Sequence, residues 1–368
     1  MTKSIYGGKM KKYASHFAVI SFLIFIISVV VYALCISFPT VSELVNSTIS
    51  TALRQLLSYT TYLLPFSLFE LLILSLPLLV GVAIIFSVKR GKDTVGMVRC
   101  SISILAILSL LFTSYIYTLG IGYHTPDISE KTGIEDRDVV SAEELYYTTE
   151  LVQGELNLLA EQLELRDGRT EMPYSIDELS TRLVHAFDTF ITDYPILTNY
   201  TSRVKPIYFS TVMSDLGISG IYSFFTGEAN VNVEYPDYCL PFTAAHEMAH
   251  QRGVCRENEA SFVAFLVAIG SDDEYIRYSG YLNIYEYLAS ALYRASPELY
   301  AELNTRLHPT ARADILAARE VYDLHNDSVL GKINDRLNDA YLKANGTDGV
   351  VSYGYVVRLA VGYYLGKK

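Results

Sequence analysis

Positive charge is scarce over most of this chain. Residues 125–368 hold 20 of the 29 Lys and Arg but 37 of the 40 Asp and Glu, a net of −17. Without a basic stripe to neutralise phosphates, nucleic acid drops out as a partner. Cysteine is scarce too, with four in 368 residues. A disulfide needs Cα atoms within about 7 Å. Cys239 and Cys255 flank a stretch that reads as one straight helix, roughly 18 Å long at about 1.5 Å per residue. Cys35 and Cys100 fall near opposite membrane faces. No internal bridge is therefore expected, and the core alone holds the domain. Tryptophan is missing while tyrosine reaches 30, an imbalance with no evident physical reason. A cleavable leader is missing as well. The first apolar run exceeds the roughly 7–15 residues of a signal peptide, and no A-x-A site follows it. Leu34 is also too bulky for a lipoprotein site before Cys35.

Long apolar runs are abundant in the first third, which carries nine basic and three acidic residues. Three runs reach the roughly 20 residues needed to cross a bilayer: about 17–38, 65–88 and 100–121. The expected architecture is a three-span anchor over residues 1–124 and a separate domain over 125–368. Lys3, Lys9, Lys11 and Lys12 precede the first span, and Lys89, Arg90, Lys92 and Arg99 lie between the second and third. The loop between the first two spans has only Arg54. The positive-inside rule then puts the N-terminus in the cytoplasm and the large domain outside, on a multi-pass protein of the cytoplasmic membrane. Glu70, near the outer end of the second span, is expected to snorkel to water. The stretch Glu43–Tyr62 has Val45, Ile49, Leu53, Leu56 and Leu57 at helical spacing, fitting either an interfacial helix or a lid on the domain.

Within the domain, residues 125–140 read as a linker or a strap. Ser141 with Glu143 and Glu144 marks a helix start, and a second helix spans about Ile176–Ile191. Period-two patterning then predicts strands at Ile207–Val212, Ile218–Phe225 and Glu228–Val233. In the last, polar and apolar residues alternate through Ala229, Asn230, Val231 and Asn232, as in a strand with one wet face. Such an edge could hold an extended peptide by backbone hydrogen bonds, or pair with nothing. Helices dominate from there on, and Ser352–Leu365 is too short to span a membrane and is expected to pack on the core.

The chemistry concentrates in Thr243-Ala244-Ala245-His246-Glu247-Met248-Ala249-His250-Gln251-Arg252-Gly253, which contains H-E-x-x-H. On a helix, His246 and His250 lie one turn apart on one face and can point two imidazoles at one ion. Glu247 sits where a carboxylate serves as general base without binding the metal, the arrangement of a zinc hydrolase. Pro241 and Gly253 place the helix at about Pro241–Arg252. A catalytic zinc takes a third protein ligand. Cys255, Glu257, Glu259 and, farther off, His308 and His325 are the candidates. Glu257 and Glu259 are two apart, so only one can face the ion. Glu259 is the preferred ligand, with Glu257 capping the next helix or orienting a ligand. Tyr222, His308 and Tyr353 are candidates to stabilise an oxyanion.

His246-Glu247-Met248-Ala249-His250 followed by Glu257-Asn258-Glu259-Ala260-Ser261-Phe262-Val263-Ala264 resembles the gluzincin metallopeptidases. Phe225–Asn232, Leu240-Pro241-Phe242 and Glu257–Phe265 extend the likeness to an uncharacterised family of bacterial membrane proteins with N-terminal spans and an H-E-x-x-H ectodomain. The resemblance covers most of 195–365. It implies a zincin-like α+β domain, mostly helical, with a small sheet before the metal helix. Zn2+ as cofactor and a peptide or protein substrate follow from the same likeness. Many gluzincins place an Asp four residues after the ligand Glu to orient a metal histidine. Here Val263 stands four residues after Glu259, so that support must come from elsewhere.

The expected function is therefore a membrane-anchored zinc metallopeptidase, its partners a polypeptide and the lipid bilayer, with Glu247 as general base to zinc-activated water. A catalytically silent zinc-fold sensor or binding module, and a zinc hydrolase of a cell-wall amide, are the alternatives. Glu247 argues against the first, since a structural site needs no base.

Overall fold

The computed structural model describes residues 5–90, 94–325, 328–346 and 353–366. Three of its helices are long and apolar enough to cross a membrane: α1 (Ile5–Ser37), α4 (Leu68–Arg90) and α5 (Thr94–Thr118). Between α1 and α4 lie α2 (Pro39–Val45), a π turn at Asn46–Ser50 and α3 (Thr51–Tyr62), one continuous helical path. After α5, a 3-10 turn at Gly120–His124 and α6 (Ile128–Thr132) lead into α7 (Ala142–Gln162). A two-residue hairpin follows, β1 (Leu165–Arg166) and β2 (Arg169–Thr170), turning at Asp167 and Gly168 with positive φ. Next come α8 (Ile176–Asp193), β3 (Val204–Ile207), α9 (Ser210–Asp215), β4 (Gly220–Tyr222) and β5 (Ala229–Asn232). The chain ends in α10 (Cys239–Gln251), α11 (Glu257–Ile269), α12 (Glu274–Ala295), α13 (Pro297–Thr305), α14 (Pro309–His325), α15 (Val329–Ala344) and α16 (Tyr353–Gly366). The protein is thus mostly helical with two small sheets.

α10 and α11 form the centre. Every residue from Glu259 to Ala268 is buried, as in a helix that is enclosed all round. α8, α12 and α16 pack on the pair, α7 lies outside against α12 and α16, and Val356, Leu359, Ala360 and Val361 dock α16 on the core as expected. Ser141 caps α7 by accepting the Glu144 N–H, while the Glu144 carboxylate accepts the Ser141 N–H, a reciprocal capping box. Residues 125–140 form a strap: Arg358 makes a two-bond ion pair with Asp136 at 2.8 Å, and Gly362 leaves no room for a Cβ against the Glu135 carbonyl.

The sheet differs from its expected form in two respects. First, the strand expected at Ile207–Val212 ends at Ile207 and gives way to α9. The reason lies in Glu70, whose carboxylate accepts the N–H groups of Tyr208 and Phe209 and withdraws them from any ladder. Glu70 is therefore buried against the domain instead of snorkelling to water. Second, residues Ala229–Asn232 are not an edge. β5 lies between parallel β3 and antiparallel β4, and all four residues are buried. The polar members of the alternation face protein: Asn230 donates to the Ile221 and Glu228 carbonyls and accepts from Ser67, while Asn232 donates to Ser214 and the Ile218 carbonyl.

Hydrogen bonds cross the expected boundary at residue 124 in both directions. Glu228 accepts the first-turn N–H groups of Leu68 and Phe69 at 3.0 and 2.8 Å, capping α4. Lys205 donates its Nζ to the carbonyls of Thr61 and Leu64 at the end of α3. The tightest junction is Arg54, which has no exposed surface. Its guanidinium donates to the Asn46 carbonyl at 2.9 Å, the Asn46 side chain at 3.0 Å and Thr51 at 3.1 Å. It also reaches the carbonyls of Tyr117 and Thr118 at 3.5 and 3.4 Å. These last belong to the C-terminal turn of α5, whose dipole favours a cation. Asn46 in turn donates to the Gly253 carbonyl at 3.1 Å, just past α10. Replacing Arg54 by Ala takes its donors away from five acceptors, most of them buried, so Arg54→Ala should destabilise the purified protein by on the order of 3 kcal/mol. A thermal unfolding curve superimposable on wild type would refute this account of the junction.

Candidate metal centre

α10 begins with Pro241 in its first turn, where a missing N–H costs nothing. It stops at Gly253, whose φ of 98° suits glycine and whose missing Cβ leaves room for the Arg54 guanidinium. His246 and His250 lie one turn apart, ring centroids 4.6 Å apart and planes at 88°. Glu257 heads α11 and faces both: its Oε2 is 3.1 Å from His246 Nε2 and 3.5 Å from His250 Nε2. The ligand atoms of the three residues lie within 4.8 Å of one another.

The structure brings Glu257, and not the expected Glu259, to the two imidazoles. On α11 the two glutamates point to different sides, and the first of them meets the imidazoles. Glu259 turns away, accepting the Ile128 N–H at 2.9 Å and Arg256 at 2.8 Å. Arg256 also holds Asp127 and the carbonyls of Tyr123 and Thr125. Glu259 thus pins the strap to the head of α11. Cys255 is buried with its thiol near the Gly253 carbonyl, and burial pushes that thiol up to about 11.

Counting from Glu257 also finds a support for His246. The residue four after Glu257 is Ser261, and its hydroxyl lies 3.2 Å from His246 Nδ1. His250 Nδ1 lies 2.7 Å from the Val254 carbonyl. Both rings are thereby oriented with Nε2 towards Glu257. Ser261 was not singled out from sequence because the count of four began at Glu259.

Glu247 is buried beside this donor set. The Tyr222 backbone N–H hydrogen-bonds its carboxylate, and a Cβ on Gly220 would stand 2.6 Å from its Oε1. Gly220 is thus needed for β4 to approach, a role that only the packing reveals. Tyr222 contributes backbone here, while its phenol is buried among Thr118, Tyr200 and Arg54. His308 caps α14 by accepting the Thr310 N–H, with its own N–H given to Asn157. His325 pairs with Asp215 at 2.7 Å. Neither joins the cluster. Tyr353 opens α16, and its side chain lies outside the described residues.

Electrostatics mark the three donors as a unit. Burial pushes the Glu247 carboxyl above its ordinary value, against the opposing pull of His246 and His250. Burial acts on Glu257 in the same sense, but the charge of His250 and hydrogen bonds from both imidazoles overcome it and hold that carboxyl well below the usual range. Burial alone would lower His250, whereas Glu257 drives it upward. The donors fit zinc: ligand atoms about 2.1 Å from a tetrahedral ion stand roughly 3.4 Å apart, and the two measured separations are 3.1 and 3.5 Å.

If Glu257 is the ligand, Glu257→Gln should lose far more zinc affinity than the roughly 10–100-fold expected for Ser261→Ala, which removes a supporting hydrogen bond. Glu259→Gln should keep its zinc. Metal titration of the purified variants checks the ranking, and zinc loss in Glu259→Gln with retention in Glu257→Gln would reverse the assignment.

No curated protein and no solved structure matches the chain. A protein family described as of unknown function, DUF3810, matches residues 46–361, a stretch that takes in Arg54, the strap, the three donors and most of α16. The chain belongs to this DUF3810 family.

Proposed function

We propose that the protein is a membrane-anchored, zinc-dependent metallopeptidase. The observation that carries this reading is the convergence of His246, His250 and Glu257 on one point with a second carboxylate, the buried Glu247, alongside. His246, His250 and Glu257 would hold the zinc, and Ser261 and the Val254 carbonyl orient the two imidazoles for it. Bound zinc supplies Lewis acidity and makes water nucleophilic near neutral pH.

The rest is the work of the chain's own groups. Glu247 is not one of the three donors, so its carboxylate is free to accept a proton and return it to a leaving amine. Its burial raises its proton affinity, which suits that exchange. β4 is the edge strand beside it: one side pairs with β5, and the Tyr222 N–H on the other reaches Glu247. An extended polypeptide adding to that edge would lie next to the donors, the role expected of Ala229–Asn232. α1, α4 and α5 are read as spans. Lysines and arginines at the ends remote from the domain orient it to the outside of the cytoplasmic membrane.

Glu247→Gln keeps the shape and the donors but removes the base. It should retain one zinc per chain while peptide cleavage falls by a factor on the order of 10²–10⁴, measured on a peptide library with the detergent-solubilised protein. Wild type that binds zinc but cleaves nothing would favour a binding module, and wild type that binds no zinc would end the zinc reading.

A further inference from the structure

The helical path from α2 to α3 is built inside out. Its buried side is polar: Ser42, Asn46, Ser50, Arg54, Ser58 and Thr61. These residues serve the domain, through Asn46 to Gly253, Ser42 to the Ile121 carbonyl and Ser58 to Gln251. Its exposed side is mostly apolar: Leu44, Ile49, Leu56, Tyr59 and Leu63 are 52–82% exposed, and the exposed Ser47, Thr48 and Thr60 give their hydroxyls to carbonyls of the helix itself. A helix on a water-soluble surface has the reverse arrangement.

The π turn at Asn46–Ser50 is what makes both faces continuous. Five residues separate Leu44 from Ile49, and five separate Asn46 from Thr51. In an α-helix that spacing would put each pair on different sides, while one i→i+5 turn returns them to the same side. Arg54 and Thr51 can then meet Asn46, while Leu44 stays in line with Ile49 and Leu56.

We infer that this helix lies in the lipid interface of the bilayer, apolar face in the acyl boundary and polar face in the domain. Continuity argues for lipid. The path joins the end of α1, where Ile36 and Phe38 are exposed, to the start of α4, where Phe66 and Leu71 are exposed. The apolar face thus runs unbroken into the surfaces of two helices suited to cross the membrane. Because the helix also bonds Gln251 and Gly253, the end of α10 stands one helix diameter, about 10 Å, from lipid. The inference rests on α1, α4 and α5 as spans and is independent of the zinc chemistry.

The absence of Trp provides the test. Full-length protein carrying Leu56→Trp or Tyr59→Trp is placed in phosphatidylcholine nanodiscs with or without brominated acyl chains. Leu79→Trp on α4 serves as the lipid reference and Leu158→Trp on α7 as the water reference. Brominated lipid should cut the fluorescence of both interface variants by about half, as for Leu79→Trp, and leave Leu158→Trp unchanged. Aqueous acrylamide should do the opposite. Interface variants that behave like Leu158→Trp overturn the inference. So does shielding from both quenchers, the result of a second copy covering the face. If Leu79→Trp also escapes the brominated lipid, the spans and this inference fall together while the metal centre stands.

Discussion

A guanidinium with no carboxylate partner among the described residues joins the apolar helices to the domain. Arg54 sits within the π-interrupted helix and is enclosed where α5 ends and, through Asn46, where α10 ends. A buried cation without an anion is costly. Here the compensation comes from backbone carbonyls, two of them at the negative end of α5. That solution works only while all three elements are in place. Gly253 belongs to the same junction, because a Cβ there would strike the guanidinium. The start of the loop from α10 to α11 is thus shaped by a residue from between the apolar helices.

The long apolar helices and the H-E-x-x-H pair were legible in the sequence because each depends on a local pattern. Length and hydropathy located α1, α4 and α5, and the i,i+4 spacing located His246 and His250. Caps were legible for the same reason, as Ser141 and Gly253 show. What sequence did not reveal depends on contacts far along the chain. Choosing between Glu257 and Glu259 required knowing how α11 is rotated against α10, and a rotation of two positions moves a carboxylate from the imidazoles to Arg256. The support from Ser261 was hidden by that same choice.

The misread strand makes a related point. Alternating Asn and apolar residues at Ala229–Asn232 suggest a face towards water, because alternation reports chemistry and not the medium. Asn230 and Asn232 spend their amides on Ser67, Ile218 and Ile221 inside the protein. Glu70 follows the same rule in an apolar helix: its partners, two backbone N–H groups, lie nearly 140 residues later. Polar residues in unexpected places here mark seams between the apolar helices and the domain.

The cap that Glu228 places on α4 imposes an order of events in biosynthesis. The chain is made from its N-terminus, and 160 residues separate Leu68 from the glutamate that accepts its N–H. The amides at the start of α4 must therefore wait until that glutamate has been translated. The same holds for the α3 carbonyls that Lys205 will satisfy. With α1, α4 and α5 as the proposed spans, membrane insertion and domain folding become steps in series, with the sheet and α10 closing onto a surface laid down before them. A chain whose first helices insert wrongly would present Lys205, Glu228 and Asn230 with no partners, so faulty insertion would surface as unfolded domain.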